Sequence, residues 1–394
     1  MSAERVQVQV RRYDVVVIGG GISGTAAAYE LARAGVSVVL VEKGNLASMA
    51  SGWTLAGVRQ SGRHPAEVPL ARAAVRRWED LEEELGADVE YRQDGNLRLA
   101  RTPAEVDHIA AMVAEQRALG LNLTFLPDGD AVRAIAPALA DSICAASLCP
   151  TDGHANPTLA VTAFGRAAER HGATILTDTA VTAIDVQAGR VQGVQTTAGP
   201  IAADVVVVAA GVYSHLLLQP LGLVLPISVV QPGIVQTVPL QPLLTQVLGV
   251  ANGNIALRQE VDGRVRMTGD VTAWIWPDHA VTPDDIQPPA SLVHAIIERA
   301  MQVLPALAAA KIGRVWGGLI DMTPDALPVI ERLTEIEGLI VTAGFSGHGF
   351  CLGPITGQII RELAITGTST LPLEPFRLAR FGTDATVGAV TLHG

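Results

Sequence analysis

Apolar positions along this chain fall into short continuous runs and longer periodic ones. Residues 13–18, Tyr13-Asp14-Val15-Val16-Val17-Ile18, and residues 37–41 are apolar runs rich in β-branched side chains, the pattern of strands buried on both faces. Between them, residues 25–34 carry helical spacing. Helical spacing returns over 70–86, with charge on one face, and over 103–119 and 157–171, each opened by a proline. Short strands are expected at 89–92 and 97–100, joined by an Asp94-Gly95-Asn96 turn, then at 174–176, 181–186 and 191–196. The run Ala203-Asp204-Val205-Val206-Val207-Val208-Ala209-Ala210-Gly211 is too apolar to be half-exposed and reads as a central strand. From about 221 to 314 the pattern is mostly β, with strands at 233–238, 255–259 and 265–268 and a helix over 290–301. The end returns to alternation: a buried strand over 339–343 and a helix over 357–365.

The glycines between the first strand and helix give this pattern chemical content. Gly19-Gly20-Gly21-Ile22-Ser23-Gly24 is G-x-G-x-x-G, placed after a strand and before a helix. Gly19 suits a tight turn, Gly21 lets backbone approach a pyrophosphate, and Gly24 lets the helix pack close to the strand. The helix N-terminus, with Ile22 and Ser23, offers free N–H groups to phosphate. Glu42 closes the second strand, where an acid bonds ribose hydroxyls. A glycine turn alone is weak evidence, but spacing, strands and acid agree.

Three features favour a flavin over a nicotinamide dinucleotide. The chain has no second G-x-G-x-x-G at a strand–helix start. The run ending Ala209-Ala210-Gly211 returns to the same sheet after a small β meander. Gly344-Phe345-Ser346-Gly347-His348-Gly349-Phe350 follows a buried strand and precedes a helix, so its N–H groups suit an electron-rich ring edge. The plain alternative for that last segment is a flexible loop capping a helix.

Composition narrows the class. The chain has 394 residues, 49% hydrophobic and 17% charged, which fits a globular protein with a large core. A formal net charge of −11 argues against nucleic acid and against a polybasic membrane patch. No apolar run approaches a membrane span, and residues 1–12 lack a signal-peptide core, so a cytoplasmic protein is expected. Cys144, Cys149 and Cys351 form no disulfide framework and read as buried thiols, with no metal site. The fold expected is α/β: a Rossmann-like dinucleotide domain assembled from 13–85, 150–220 and 315–375. An α+β substrate domain on a mostly antiparallel sheet is interleaved as 86–149 and 221–314. Residues 1–12 and 376–394 are terminal extensions.

Taken together, Gly19 to Gly24, Glu42-Lys43, Ala56-Gly57-Val58-Arg59, Ala209-Ala210-Gly211, Thr323-Pro324-Asp325 and Gly344 to Phe350 resemble the FAD-dependent amino-acid and amine oxidoreductases. That family includes glycine oxidase, sarcosine oxidase and D-amino-acid oxidase. The branch most resembled holds glycine-oxidase-like enzymes and the FAD subunits of opine and proline dehydrogenases. The resemblance implies extended FAD and oxidation of a carbon–nitrogen bond, with hydride passing from the α-carbon to flavin N5 and the imine hydrolysing to keto acid and ammonia. It implies no side-chain nucleophile. It places Glu42 and Lys43 at the adenosine ribose, Ser51 and Ala56-Gly57 at the pyrophosphate and flavin, Val181 at adenine, and Ala210-Gly211 at the cofactor. Gly344, Gly347, His348 and Gly349 fall at the flavin's pyrimidine end.

Departures from the family pattern are informative. Gly318 stands where sarcosine oxidases tether flavin to cysteine, so FAD is expected to be non-covalent. Ile320 replaces the carboxylate-binding arginine of glycine and D-amino-acid oxidases, and Cys351 stands where sarcosine oxidases have a second, lysine anchor. The resemblance leaves Arg59 as the carboxylate anchor, with a surface or flavin-facing arginine as its alternative. Arg266 takes the place of the oxygen-promoting lysine. Asp270 reads as a turn acid or a group facing the substrate amine. Trp274 and Trp276 read as cavity wall or inter-sheet packing, Arg63 and His64 as site residues or a solvated loop, and His154 as structural. Oxygen is the expected acceptor, giving peroxide. The alternative is an FAD subunit of a hetero-oligomeric opine, proline or hydroxyproline dehydrogenase, and a third reading is a flavin-binding scaffold without turnover. Homo-oligomers and small partner subunits both stay open, as does the choice between L and D substrates.

Overall fold

The computed structural model describes residues 11–282 and 284–382. Residues 1–10 and 383–394, expected above as parts of terminal extensions, lie outside the described residues.

The head, middle and tail of the chain build one sheet. Strand Arg11–Ile18 lies at its centre, parallel to Val38–Val41 on one side and to Gly199–Val208 on the other. Val16 and Val17 are fully buried although they point to opposite faces, which explains the unbroken apolar run. Thr174–Leu176 extends the sheet beyond Val38–Val41, and Leu339–Ala343 lies outside Gly199–Val208. The antiparallel meander Val181–Gln187 and Arg190–Thr196 pairs with the early half of Gly199–Val208.

One face of this sheet is covered by helix Ile22–Arg33, which packs between Pro157–Arg170 and Gly349–Ile365. Close approach is possible because the contact is made of small residues. A Cβ on Gly353 would lie 2.3 Å from the Ile22 side chain, and one on Gly357 would lie 2.7 Å from the Ala26 Cβ. Glycines four apart share a helix face, so together they make a flat strip against the first helix. This helix begins at Gly349, eight residues before the expected start at 357. Pro354 conceals the earlier turns, since it removes one backbone donor inside the helix.

A second sheet packs over the C-terminal edge of the first. It runs Ile312–Gly317, Ser228–Thr237, Val265–Ala273, Ile255–Gln259, Val247–Val250, Asn96–Ala100, Ala145–Cys149, Thr124–Leu126. All neighbours are antiparallel except Val247–Val250 with Asn96–Ala100. Helix Ala290–Val303 covers it through Leu292, Ile296, Ala300 and Val303.

Two expectations change here. Residues 89–92 form no strand. The Glu82 carboxylate accepts from the N–H groups of Val89 and Tyr91, both at 3.0 Å, and so takes the donors a ladder would need. Residues 316–320, which a continuous strand would span, are interrupted at 318–319, and Ile312–Gly317 and Ile320–Met322 pair with Ser228–Thr237 in one antiparallel register on either side of the break. Among the described residues, no helix is long and apolar enough to cross a membrane.

The glycine strip carries a direct prediction. Gly357→Val should overpack the crossing of the first and last helices and cost about 1–3 kcal/mol of stability. Urea unfolding should show a lower midpoint with an unchanged slope.

Candidate active site

A cavity of about 320 Å³ opens at the C-terminal ends of the central parallel strands. Gly19, Gly20 and Gly21 line it. Gly19 has φ +111°, and a Cβ there would lie 2.4 Å from the Ala209 carbonyl oxygen. Gly24 does not border the cavity. It lets the helix rest on the turn, since a Cβ would sit 2.0 Å from the Gly19 carbonyl oxygen. Gly21 precedes the helix and contributes no side-chain cap, so first-turn donors are left for a ligand. Ser51 reaches the same helix end, its hydroxyl accepting from the Ile22 N–H at 3.0 Å. Glu42 pins the turn: its two oxygens accept from the N–H groups of Gly20 at 2.6 Å and Gly44 at 2.8 Å. Lys43, Val181, Ala210 and Gly211 border the same space, and the Lys43 ammonium lies 3.3 Å from the centre of the Tyr213 ring. Phosphate-ready donors and glycines that no side chain could replace fit a dinucleotide.

A second cavity, about 280 Å³, continues from the first and lies between the sheets. Gly21, Ser51, Gly211 and Asp321 border both. Ile22, Ser23, Gly57, Ile320, Gly347, His348 and Gly349 border the second. The opposite wall comes from the antiparallel sheet, through Ile234, Leu248, Ile255 and Thr268. Asp321, overlooked in the sequence, shapes the glycine loop. It accepts from the Gly344 N–H at 2.6 Å through its side chain and from the Ser346 N–H at 3.0 Å through its carbonyl. Burial pushes its carboxyl up to about 6. Gly344 itself sits behind the wall, its φ of +71° and contact with Thr323 leaving no room for a Cβ.

His348 begins the last helix and is buried. Its Nδ1 lies 3.1 Å from the Glu67 carboxylate. Burial and then the Arg63 charge push the imidazole down to about 4. Burial alone would raise Glu67, but His348 and Arg63 outweigh it and hold the acid at about 2. At neutral pH the ring is therefore uncharged and donates from Nδ1 to Glu67. Nε2, without a protein partner among the described residues, is left as an acceptor.

The cavity's other distinctive chemistry is basic. Arg59, Arg63 and Arg98 all border it. Asp152, fully buried, holds the loop that carries the first two. It accepts from the backbone N–H of Gln60 at 2.8 Å and of Ser61 at 3.3 Å, and from the Ser61 hydroxyl. Gln116 adds a bond at 2.9 Å from the Gly62 N–H. Arg59 Nη1 donates to the Ser61 carbonyl at 2.6 Å. Burial, then Arg63 and Arg98, push the Arg59 guanidinium well below its ordinary range.

Several expected residues lie elsewhere. Arg266 does not border the cavity. Its guanidinium donates to the Thr54 carbonyl at 2.7 Å, pairs with Glu260 at 2.9 Å and lies over Trp316. Cys351 is buried behind the wall, its thiol 3.4 Å from the Arg59 carbonyl. Ala56 is buried with φ +59° and leaves the cavity wall to Gly57. Asp270 belongs to strand Val265–Ala273 and pairs with Arg299, so it is neither a turn acid nor a site residue. Trp274 and Trp276 follow that strand and stack outside the cavity, Trp276 against Tyr213. His64 is exposed, whereas Arg63 is buried. His154 is packed against Arg258 at 2.8 Å, and burial pushes it down to about 2. Cys144 is half-buried, the other two cysteines fully so. Glu67, Arg98, Gln116 and Asp152 were not singled out in the sequence. The i,i+4 spacing of Arg63 and Glu67 was the one readable hint.

A dinucleotide cradle that opens into a charged cavity between two sheets fits a cofactor-dependent oxidoreductase, in which the cofactor would supply redox chemistry beside an enclosed small substrate. The comparison with known proteins is more specific: the chain belongs to the DAO family of FAD-dependent oxidoreductases, which it matches over residues 14–363. It is 27% identical to glycine oxidase of Bacillus licheniformis over 94% of this chain and 98% of the relative. It is 29% identical to sarcosine oxidase subunit beta of Arthrobacter sp, over 95% and 92% respectively. The crystal structure of L-proline dehydrogenase from P. horikoshii superposes with a TM-score of 0.86 at 30% identity, covering 94% of this chain and 98% of that one. The cofactor is FAD, and the chain is an enzyme of the amino-acid and amine oxidoreductase class.

The buried histidines set an acid limit on stability. His348 and His154 stay neutral in the fold below their ordinary value of 6.5, so the unfolded chain binds more protons than the folded one. Melting temperature should therefore fall as pH drops from 6.5 to about 4. Asp321, between 3.8 and about 6, and Asp152, also raised by burial, act in the opposite direction, while Glu67, held at about 2, adds to the two histidines. Melting curves across this range check the sign, and His348→Gln should make the fall shallower.

Proposed function

We propose that the chain oxidises the C–N bond of a free amino acid, giving an imine that hydrolyses to keto acid and ammonia. The observation that carries this reading is the guanidinium wall of the cavity that continues from the dinucleotide cradle. In this reading FAD is held without a covalent bond by a body formed from 13–85, 150–220 and 315–375, with 86–149 and 221–314 covering the substrate. Bound FAD supplies the two-electron acceptor. Glu42 and Lys43 would hold the ribose side, Val181 the adenine, and Gly19, Gly21, Ile22, Ser51 and Gly211 the pyrophosphate region. Gly347, His348 and Gly349 would face the pyrimidine end, where the start of a helix favours negative charge. Arg59 would bind the substrate carboxylate in a forked pair, and Ile320 would contact the substrate's apolar part. Non-covalent binding is supported by position: none of the three cysteines borders either cavity, and Gly318 lines the wall where a tether would stand.

Oxygen is the first acceptor considered, with hydrogen peroxide as product. A dehydrogenase using a non-oxygen acceptor is favoured by one observation. Arg266 is spent on Glu260 and Thr54, and no lysine borders the substrate cavity. The likeness to a sarcosine oxidase subunit supports a chain that works with partner subunits.

Anaerobic mixing of purified holoenzyme with amino acids should bleach the flavin. Peroxide on admitting air identifies an oxidase, and bleaching without peroxide a dehydrogenase. No bleaching by glycine, sarcosine, proline or the common L- and D-amino acids would remove the free amino-acid reading. Acid precipitation should leave the yellow colour in the supernatant; a yellow pellet would mean a covalent link. Arg59→Ala should raise KM at least about tenfold with flavin content unchanged, the scale of a lost charge-assisted pair.

A further inference from the structure

Three guanidiniums are more than one carboxylate needs. Arg59 and Arg63 come from the clamped loop, whereas Arg98 comes from strand Asn96–Ala100 of the other sheet. They converge: a Cβ on Gly62 would lie 2.5 Å from Arg98 Nη2 and 3.1 Å from Arg59 Nη1. Like charges held this close in a half-buried wall repel, and burial and Arg63 both push the Arg98 guanidinium down.

The protein neutralises them only in part. Asp152 spends its oxygens on Gln60 and Ser61, while Glu67 bonds His348 through one oxygen and turns the other towards Arg63. Arg63 Nη1 is buried without a hydrogen-bond partner among the described residues, its distance to Glu67 being 3.9 Å. Arg98 likewise borders the cavity with no protein group bonded to its side chain among the described residues. Asn96, two residues earlier on the same strand face, also borders the cavity. Gly249, opposite Arg98 in the ladder, adds no side chain to that space.

We propose that the substrate is an amine carrying two carboxylates. One carboxylate pairs with Arg59, and the second is bound between Arg63 and Arg98 with the Asn96 amide beside them. Placing anions on both sides of the cluster offsets the mutual repulsion of the guanidiniums. The inference rests on the C–N oxidation reading, since it names the substrate class for that cavity, but its test does not depend on turnover.

Holoenzyme is titrated with glutarate and, separately, with butyrate at equal ionic strength, following flavin absorbance and heat. Glutarate should bind at least about tenfold more tightly, the scale of one added charge-assisted pair. Arg98→Ala should bring the two within about twofold while flavin content stays stoichiometric, and Arg98→Lys should keep part of the preference. Equal binding of the two acids, no binding of glutarate, or a preference that survives Arg98→Ala would each overturn the proposal. A protein that prefers glutarate yet is bleached by no amine keeps the two-carboxylate site and loses the reaction assigned to it.

Discussion

The fold depends on how closely its first helix can approach what lies beneath and beside it. Gly24 sits against the Gly19 carbonyl, and Gly353 and Gly357 sit against Ile22 and Ala26. These contacts exclude even a methyl group. They join early and late parts of the chain, and they put two helix N-termini at neighbouring places: Gly21 and Ile22 where the cradle meets the second cavity, and Gly349 on that second cavity. The electrostatic character of both cavities follows, because each helix start directs unpaired donors and a partial positive charge towards the space between the sheets.

The arginine wall is built by different means. The loop that carries Arg59 and Arg63 has no regular backbone beyond Val58. Buried polar side chains hold it, with Asp152 and Gln116 taking the N–H groups of residues 60–62. A loop secured in this way gives up little of its position when a ligand arrives, so its charges are pre-organised rather than gathered by binding. The neutral His348 and ionised Glu67 next to it set the charge pattern: the acid bonds the imidazole and faces Arg63, while Arg59 and Arg98 face the cavity with no carboxylate bonded to them among the described residues.

The parts of this arrangement that depend on local pattern were legible in the sequence. Ile255–Gln259 and Leu339–Ala343 carry the expected bounds because continuous apolar runs and turn residues delimit them. The glycine turn and Glu42 were equally clear. What stayed hidden depends on long-range contacts. Residues 89–92 have strand-like composition, but Glu82 claims their donors. Arg98 alternates with Leu97 and Leu99 as an outward-facing strand residue would, and only the closing loop turns its outer face into a cavity wall. Arg266 and Cys351 stand at positions the family pattern marks as functional, yet pairing with Glu260 and burial behind Arg59 remove them from the substrate space. Asp152 gave no local sign of its role, because the N–H groups it holds lie some ninety residues earlier in the chain.

The order of strands in the parallel sheet has a consequence for how the chain is made. Arg11–Ile18 is made before its neighbour Gly199–Val208, which comes at mid-chain, and Leu339–Ala343 and the helix after it come later still. The central strand must therefore wait, unpaired on one edge, until about half of the chain is made. Such an interval exposes a sticky edge to other chains and slows closure of the sheet. The antiparallel sheet has more of its pairings within the middle of the chain, so it is placed to assemble earlier and shelter the waiting half. Expression at low temperature or with holdase chaperones acts on that interval rather than on the stability of the finished enzyme.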